Sequence, residues 1–97
     1  MTEKDIHLAI QVVPLTRDND VYDKIDAAIN VIRKSGVKYV ITPMETVMQG
    51  SYNKLKRVSE EAQQALVDAG CGEFLVNIKM HIRIDNDVTM EEKRLDR

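Results

Sequence analysis

Ile6-His7-Leu8-Ala9-Ile10-Gln11-Val12-Val13 and Phe74-Leu75-Val76-Asn77-Ile78-Lys79-Met80-His81-Ile82 are the two stretches that decide the fold. In the first, Ile6, Leu8, Ile10 and Val12 alternate with His7, Ala9, Gln11 and Val13. In the second, Phe74, Val76, Ile78, Met80 and Ile82 alternate with Leu75, Asn77, Lys79, His81 and Arg83. A period of two sends successive side chains to opposite faces of an extended strand. Each stretch therefore predicts a strand with one wholly apolar face and one mixed face. Pro14 ends the first, because proline has no N–H for the ladder. Gly72 opens the last, and Asp85-Asn86-Asp87 breaks it.

Between these strands the period changes. Asp18, Asn19 and Asp20 are N-cap candidates, and Asp20 with Asp23 resembles a capping pair. Val21, Ile25, Ala28, Ile29 and Ile32 recur every three or four residues, which predicts a helix over about 20–35, closed by Gly36. Lys38 to Thr42 is rich in β-branched residues, Pro43 favours a turn, and Glu45 to Gln49 alternates again, so this pair reads as a hairpin. Met44 and Met48 suit the covered side of its second strand, which sends Glu45, Val47 and Gln49 to the other. Ser51 is the N-cap candidate of a second helix, whose stripe is Leu55, Val58, Ala62, Ala65, Leu66 and Ala69, and Gly70 ends it. Thr89 with Glu92 makes a capping box for a short polar C-terminal helix.

Strand, helix, strand, strand, helix, strand is the split βαβ order of a ferredoxin-like sandwich. The expectation is an α+β fold, one domain over residues 1–97: a four-stranded antiparallel sheet, two helices on one face and a short C-terminal helix. Right-handed crossovers put both helices over the apolar faces of the outer stretches. The opposite face, with Ala9, Gln11, Val13, Asn77, Lys79 and His81, is left open. Ala9, Val13, Val40 and Val47 are more apolar than a wet face requires, so sheet-to-sheet packing between subunits is expected, with polar positions lining a pocket between them.

Composition narrows the function. A chain of 97 residues buries only about 60–65% of its unfolded surface, which makes association a natural way to hide more. Fourteen basic against sixteen acidic residues leave a net charge of -2, so no basic excess is at hand to neutralise the phosphates of a nucleic acid. Lys54, Lys56 and Arg57 read as a solvated helix face. No stretch is long and apolar enough to span a membrane, and the N-terminus has no signal-like run, so a cytoplasmic location is expected. Cys71 is the single cysteine, which excludes an intrachain disulfide. Placed between Gly70 and Gly72 with no histidine nearby in sequence, it reads as an ordinary thiol. His7 and His81 lie on different strands without ligand-spaced partners and read as surface or interface groups, so neither a metal nor a cofactor is expected.

What remains is Pro43-Met44-Glu45-Thr46-Val47-Met48-Gln49-Gly50. A carboxylate on a partly buried strand needs a partner. For Glu45 that partner is Lys79 on the same face, as a structural ion pair, an amino group of a ligand, or a cation.

This segment, the strand Ile10-Gln11-Val12-Val13-Pro14-Leu15, the stretch from Thr42 to Val47, Gly50, Val76-Asn77-Ile78-Lys79 and the closing Met90-Glu91-Glu92-Lys93 together resemble the small thiamine-binding protein family related to YkoF. The resemblance covers nearly the whole chain and rests on the order and spacing of motifs that are each weak alone. It implies a ferredoxin-like fold, dimers pairing through their sheets into a homotetramer, a pocket for thiamine or its hydroxymethylpyrimidine half, and no enzymatic activity. The family more often carries Glu immediately before the glycine, where this chain has Gln49, which weakens recognition of a cationic thiazolium through this residue.

The reading is thus non-enzymatic binding of thiamine or a hydroxymethylpyrimidine-type metabolite at the sheet–sheet contact between subunits. The candidate ligand-binding residues are Gln11, Thr42, Glu45, Thr46, Gln49, Asn77 and Lys79, with no catalytic residue. The alternative is a structural or regulatory homo-oligomer holding another small metabolite. An enzyme is disfavoured because no nucleophile–base pair can be read.

Overall fold

The computed structural model of the chain describes residues 1–16 and 20–95. Asp18 and Asn19, two of the three N-cap candidates, lie outside the described residues. The elements are β1 (Ile6–Pro14), α1 (Val21–Lys34), β2 (Lys38–Ile41), β3 (Thr46–Gly50), α2 (Tyr52–Asp68) and β4 (Phe74–His81), followed by one 3₁₀ turn over Glu91–Lys93. The sheet runs in the order β2-β3-β1-β4 and every neighbouring pair is antiparallel. This is the ferredoxin-like arrangement that the alternation and the helix order predict.

Helix ends follow local chemistry. Asp20 holds the N-cap position of α1, where its carbonyl accepts the Lys24 N–H at 3.0 Å. Ser51 caps α2 by accepting the Lys54 N–H on its hydroxyl at 3.3 Å, which satisfies one of the orphan donors of the first turn. Gly36 and Gly70 follow the two helices at φ +84 and φ +86, a left-handed conformation that costs an L residue with a side chain about 1–2 kcal/mol.

One core joins both layers. Ile6, Leu8, Ile10 and Met48 of the sheet cluster with Ala28 and Ile32 of α1 and with Leu55, Val58, Ala62 and Leu66 of α2. Both helices therefore cover the same sheet face, the apolar face of β1. Register confirms the assignment: Leu8 pairs with Met48 on one side and Met80 on the other, whereas Ala9 pairs with Val47 and Lys79. Cys71 is buried in the α2–β4 turn, where its thiol donates to the Glu73 carbonyl at 3.3 Å.

Three details depart from expectation. Met44 is not a covered strand residue: β3 starts only at Thr46, and Met44 stands 71% exposed in the turn before it. The open face is not bare along its whole length, because the chain after β4 folds back across one end of it. His7 is consequently buried, at 3% exposure, and is not a surface group. That return is held by Val88, fully buried, whose N–H bonds to the Asp5 carbonyl at 3.0 Å, and by Asp87, which accepts the Asp5 N–H at 2.8 Å. The capping box forms, with Thr89 N–H on Glu92 at 2.9 Å and Glu92 N–H on the Thr89 hydroxyl at 3.3 Å. Glu92 also takes both guanidinium nitrogens of Arg83, and this pairing with a guanidinium lowers its pKa to about 2.

Candidate functional site

Two cavities flank the sheet. The first, about 280 Å³, lies on the helix-covered side, where the C-terminal half of β1 and the β2–β3 turn diverge from α1. Its walls include Ile10 and Val12 from the strand and Ile25 and Ile29 from the helix, with Pro43 and Met44 at the mouth. The second, about 640 Å³, is a depression on the open face, floored by Ala9, Val40 and Val47 and bounded by the returning C-terminal segment.

The turn between β2 and β3 builds the polar edge of the first cleft. The Thr42 hydroxyl accepts the N–H groups of Met44 at 3.3 Å and Glu45 at 3.0 Å and donates to the Glu45 carbonyl at 2.6 Å. Thr42 N–H closes the turn on the same carbonyl at 2.9 Å. This side-chain-to-backbone capping is what a threonine supplies in a tight turn, and it leaves the turn pinned next to Thr46. Thr46 is buried at 5% exposure on the covered face, opposite Ile10 and Ile41. Its hydroxyl makes no hydrogen bond among the described residues, yet it lines the cleft and is not sealed from solvent. A hydroxyl open to the cleft and without a protein partner keeps both its donor and its acceptor for a ligand. It is the polar atom in the cleft best placed to meet a ligand.

The seven sequence-predicted residues do not converge on one surface. Gln11, Thr42, Glu45 and Thr46 border the helix-side cleft; Glu45 and Lys79 border the open-face depression. Glu45 is the residue shared by both. Its carboxylate meets Lys79 Nζ at 2.9 Å, so the ion pair forms, but Lys79 is 77% exposed and such a pair contributes about 0–1 kcal/mol. Gln11 and Asn77 pair across the open face, with the Asn77 amide donating to the Gln11 carbonyl oxygen at 3.1 Å. Gln49 is occupied by the chain itself: its carbonyl oxygen accepts the Met90 N–H at 2.9 Å and its amide donates to Asp5 at 3.3 Å.

Sequence reasoning missed two groups. The stripe predicts only a helix face for Ile25 and Ile29, but both are half-buried and form a cleft wall. Lys93 was read as part of a polar terminal helix, but its Nζ donates to Nδ1 of His7 at 2.9 Å. The i, i+4 spacing of the isoleucines carried a signal of sorts, since they extend the apolar stripe beyond what Ala28 and Ile32 need.

Comparison with known proteins bears on the family and the fold. A UPF0045 protein from Clostridium perfringens is 30% identical over 87 residues, covering 90% of each chain. A domain of unknown function DUF77 from Bacillus cereus superposes with a TM-score of 0.88 at 41% identity, over 93% of this chain and 86% of that one. A proposed thiamine biosynthesis/salvage protein from Thermotoga maritima superposes with a TM-score of 0.83 at 26% identity, over 92% and 94%. Residues 8–96, nearly the whole chain, match the family model described as thiamine-binding protein, and the chain belongs to that family.

Proposed function

We propose that this protein binds thiamine or a hydroxymethylpyrimidine-type metabolite, without transforming it, in the cleft between α1 and the β2–β3 turn. The observation that carries the reading is the Thr46 hydroxyl, open to a cleft with a largely aliphatic wall and without a partner among the described residues. The sequence alone pointed to a pocket between subunits; the placement of Thr42, Glu45 and Thr46 favours a cleft within one chain. An aminopyrimidine is flat, with apolar faces for Ile10, Ile25 and Ile29 and a polar edge of ring nitrogen and amino group for Thr46 and Glu45. At about 280 Å³ the cleft is small for a ligand pocket, which suits one substituted ring better than a larger cofactor. Binding without turnover is supported by a family named for binding. Among the described residues no helix is long and apolar enough to cross a membrane, in keeping with the cytoplasmic role we assign.

Calorimetric titration with thiamine, hydroxymethylpyrimidine and their phosphates tests this directly. Saturable binding of the pyrimidine is expected, and the absence of heat with both unphosphorylated ligands would sink the reading. In the same experiment Glu45→Gln separates a site residue from a structural one. The ion pair to an exposed lysine is weak, so the unliganded melting temperature should barely move. Affinity should fall about tenfold or more, the equivalent of one charge-assisted hydrogen bond. A sharp loss of stability with binding retained would make Glu45 structural.

Self-association through the open face forms part of the proposal, and a structural oligomer is the second reading that this face favours. Val40 is 46% exposed beside Ala9 and Val47, in a depression that water fills in a lone chain. Light scattering at micromolar concentration should show an oligomer. Val47→Lys should weaken it by placing a charge in the contact, and a variant that assembles like wild type would rule out this face.

A further inference from the structure

The open-face depression carries chemistry for which a pyrimidine has no use. Its rim is cationic, and most of that charge is compensated: Lys38 pairs with Glu91, and Lys79 with Glu45. Lys93 differs. Its ammonium donates to a neutral imidazole nitrogen, Nδ1 of His7, and no carboxylate pairs with it among the described residues. The other nitrogen of that ring lies 3.4 Å from the Gln49 carbonyl oxygen, which fixes the proton on Nε2 and leaves Nδ1 as the acceptor. A buried neutral imidazole and an ammonium thus face each other at the edge of an apolar floor, and the ammonium has no carboxylate in salt-bridge contact among the described residues.

We propose that this depression binds an organic phosphate, with the phosphoryl oxygens on Lys93 and His7 and the organic part on Ala9, Val40 and Val47. A phosphomonoester carries about −1.5 to −2 charge at pH 7, enough to meet the ammonium and a second proton on the imidazole together. Its oxygens accept from both donors, whereas in the unliganded chain one donor must be met by the other's lone pair. The volume, about 640 Å³, leaves room for a ring behind the phosphoryl group. The charged groups facing His7 are Lys93 and His81 on one side and Glu92 on the other, and Glu92 is already engaged by Arg83. Burial first, and Lys93 second, hold the His7 pKa below its usual value, and burial lowers that of Lys93. An incoming dianion reverses both effects, so binding takes up a proton. Face-to-face pairing of two copies would enclose the same space, and the anion would then lie between them.

Phenyl phosphate and inorganic phosphate, titrated separately into the full chain by calorimetry, test the site. Saturable binding of phenyl phosphate is expected, tighter than that of inorganic phosphate and strengthening as pH falls from about 8 to about 6. Lys93→Met should weaken it about tenfold or more, while Lys93→Arg retains most of it and neither variant shifts the melting temperature. Thr46→Val, on the far side of the sheet, should leave it unchanged, so the site stands or falls apart from the pyrimidine cleft. Failure of both phosphates to bind overturns the proposal, as does Lys93→Met binding like wild type. Equal affinity for the two phosphates overturns the part of it that assigns the organic group to the floor.

Discussion

Leu8→Ala should lower stability by about 2–5 kcal/mol, because it empties a fully buried site between Met48 and Met80 at the centre of the sheet. The surrounding residues come from three strands and cannot all close on the void, so both the lost transfer energy and the cavity count against the variant. For a domain whose total stability is of order 5–15 kcal/mol, this is a large share, and the melting temperature should drop by roughly 10–30 °C. Asn77→Ala provides the contrast. Asn77 lies on the other face of β4, exposed, with one hydrogen bond to Gln11, and its loss should cost less than about 1 kcal/mol. Thermal unfolding of the two variants side by side checks the assignment of faces. Equal melting temperatures would mean that Leu8 does not face the helices.

Thr46→Val is the second large effect, and it falls on binding. Valine has nearly the shape of threonine, fits a strand well, and replaces a hydroxyl that has no partner among the described residues. The unliganded protein should therefore melt within about 1 kcal/mol of wild type or slightly higher. In the complex the exchange leaves a ligand donor or acceptor buried without its partner, at a cost of about 1–3 kcal/mol, or roughly 5- to 150-fold in affinity. Calorimetry and melting measured on the same sample distinguish the two effects. Unchanged affinity for hydroxymethylpyrimidine would remove Thr46 from the site and, with it, the main support for the helix-side cleft.

Pro43 to Gly50 stood out because it placed a carboxylate beside a turn, and Thr42, Glu45 and Thr46 line one cleft in the structure. The sequence could not separate the remaining candidates into those available to a ligand and those already used. Gln49 carries a side chain suited to recognition, but Met90 and Asp5 reach it from more than forty residues away and occupy both ends of its amide. Gln11 and Asn77 are register partners, so each finds its counterpart in the other.

By itself, then, the sequence determined the main elements and the face that β1, α1 and α2 turn to the core, since both follow from periods of 2 and 3.6 and from local capping by residues such as Ser51 and Gly70. These interactions span at most a few positions along the chain, and pattern is enough to read them. Tertiary structure alone decided where the cavities lie and what the C-terminal segment does. Nothing in the alternation around His7 says that Val88 anchors a return across the sheet, burying that imidazole and setting Lys93 against it. Likewise, Ile25 and Ile29 of α1 stay half-buried and share a cleft with the β2–β3 turn. A gap of this kind depends on how two layers meet, and no periodicity within either layer encodes it.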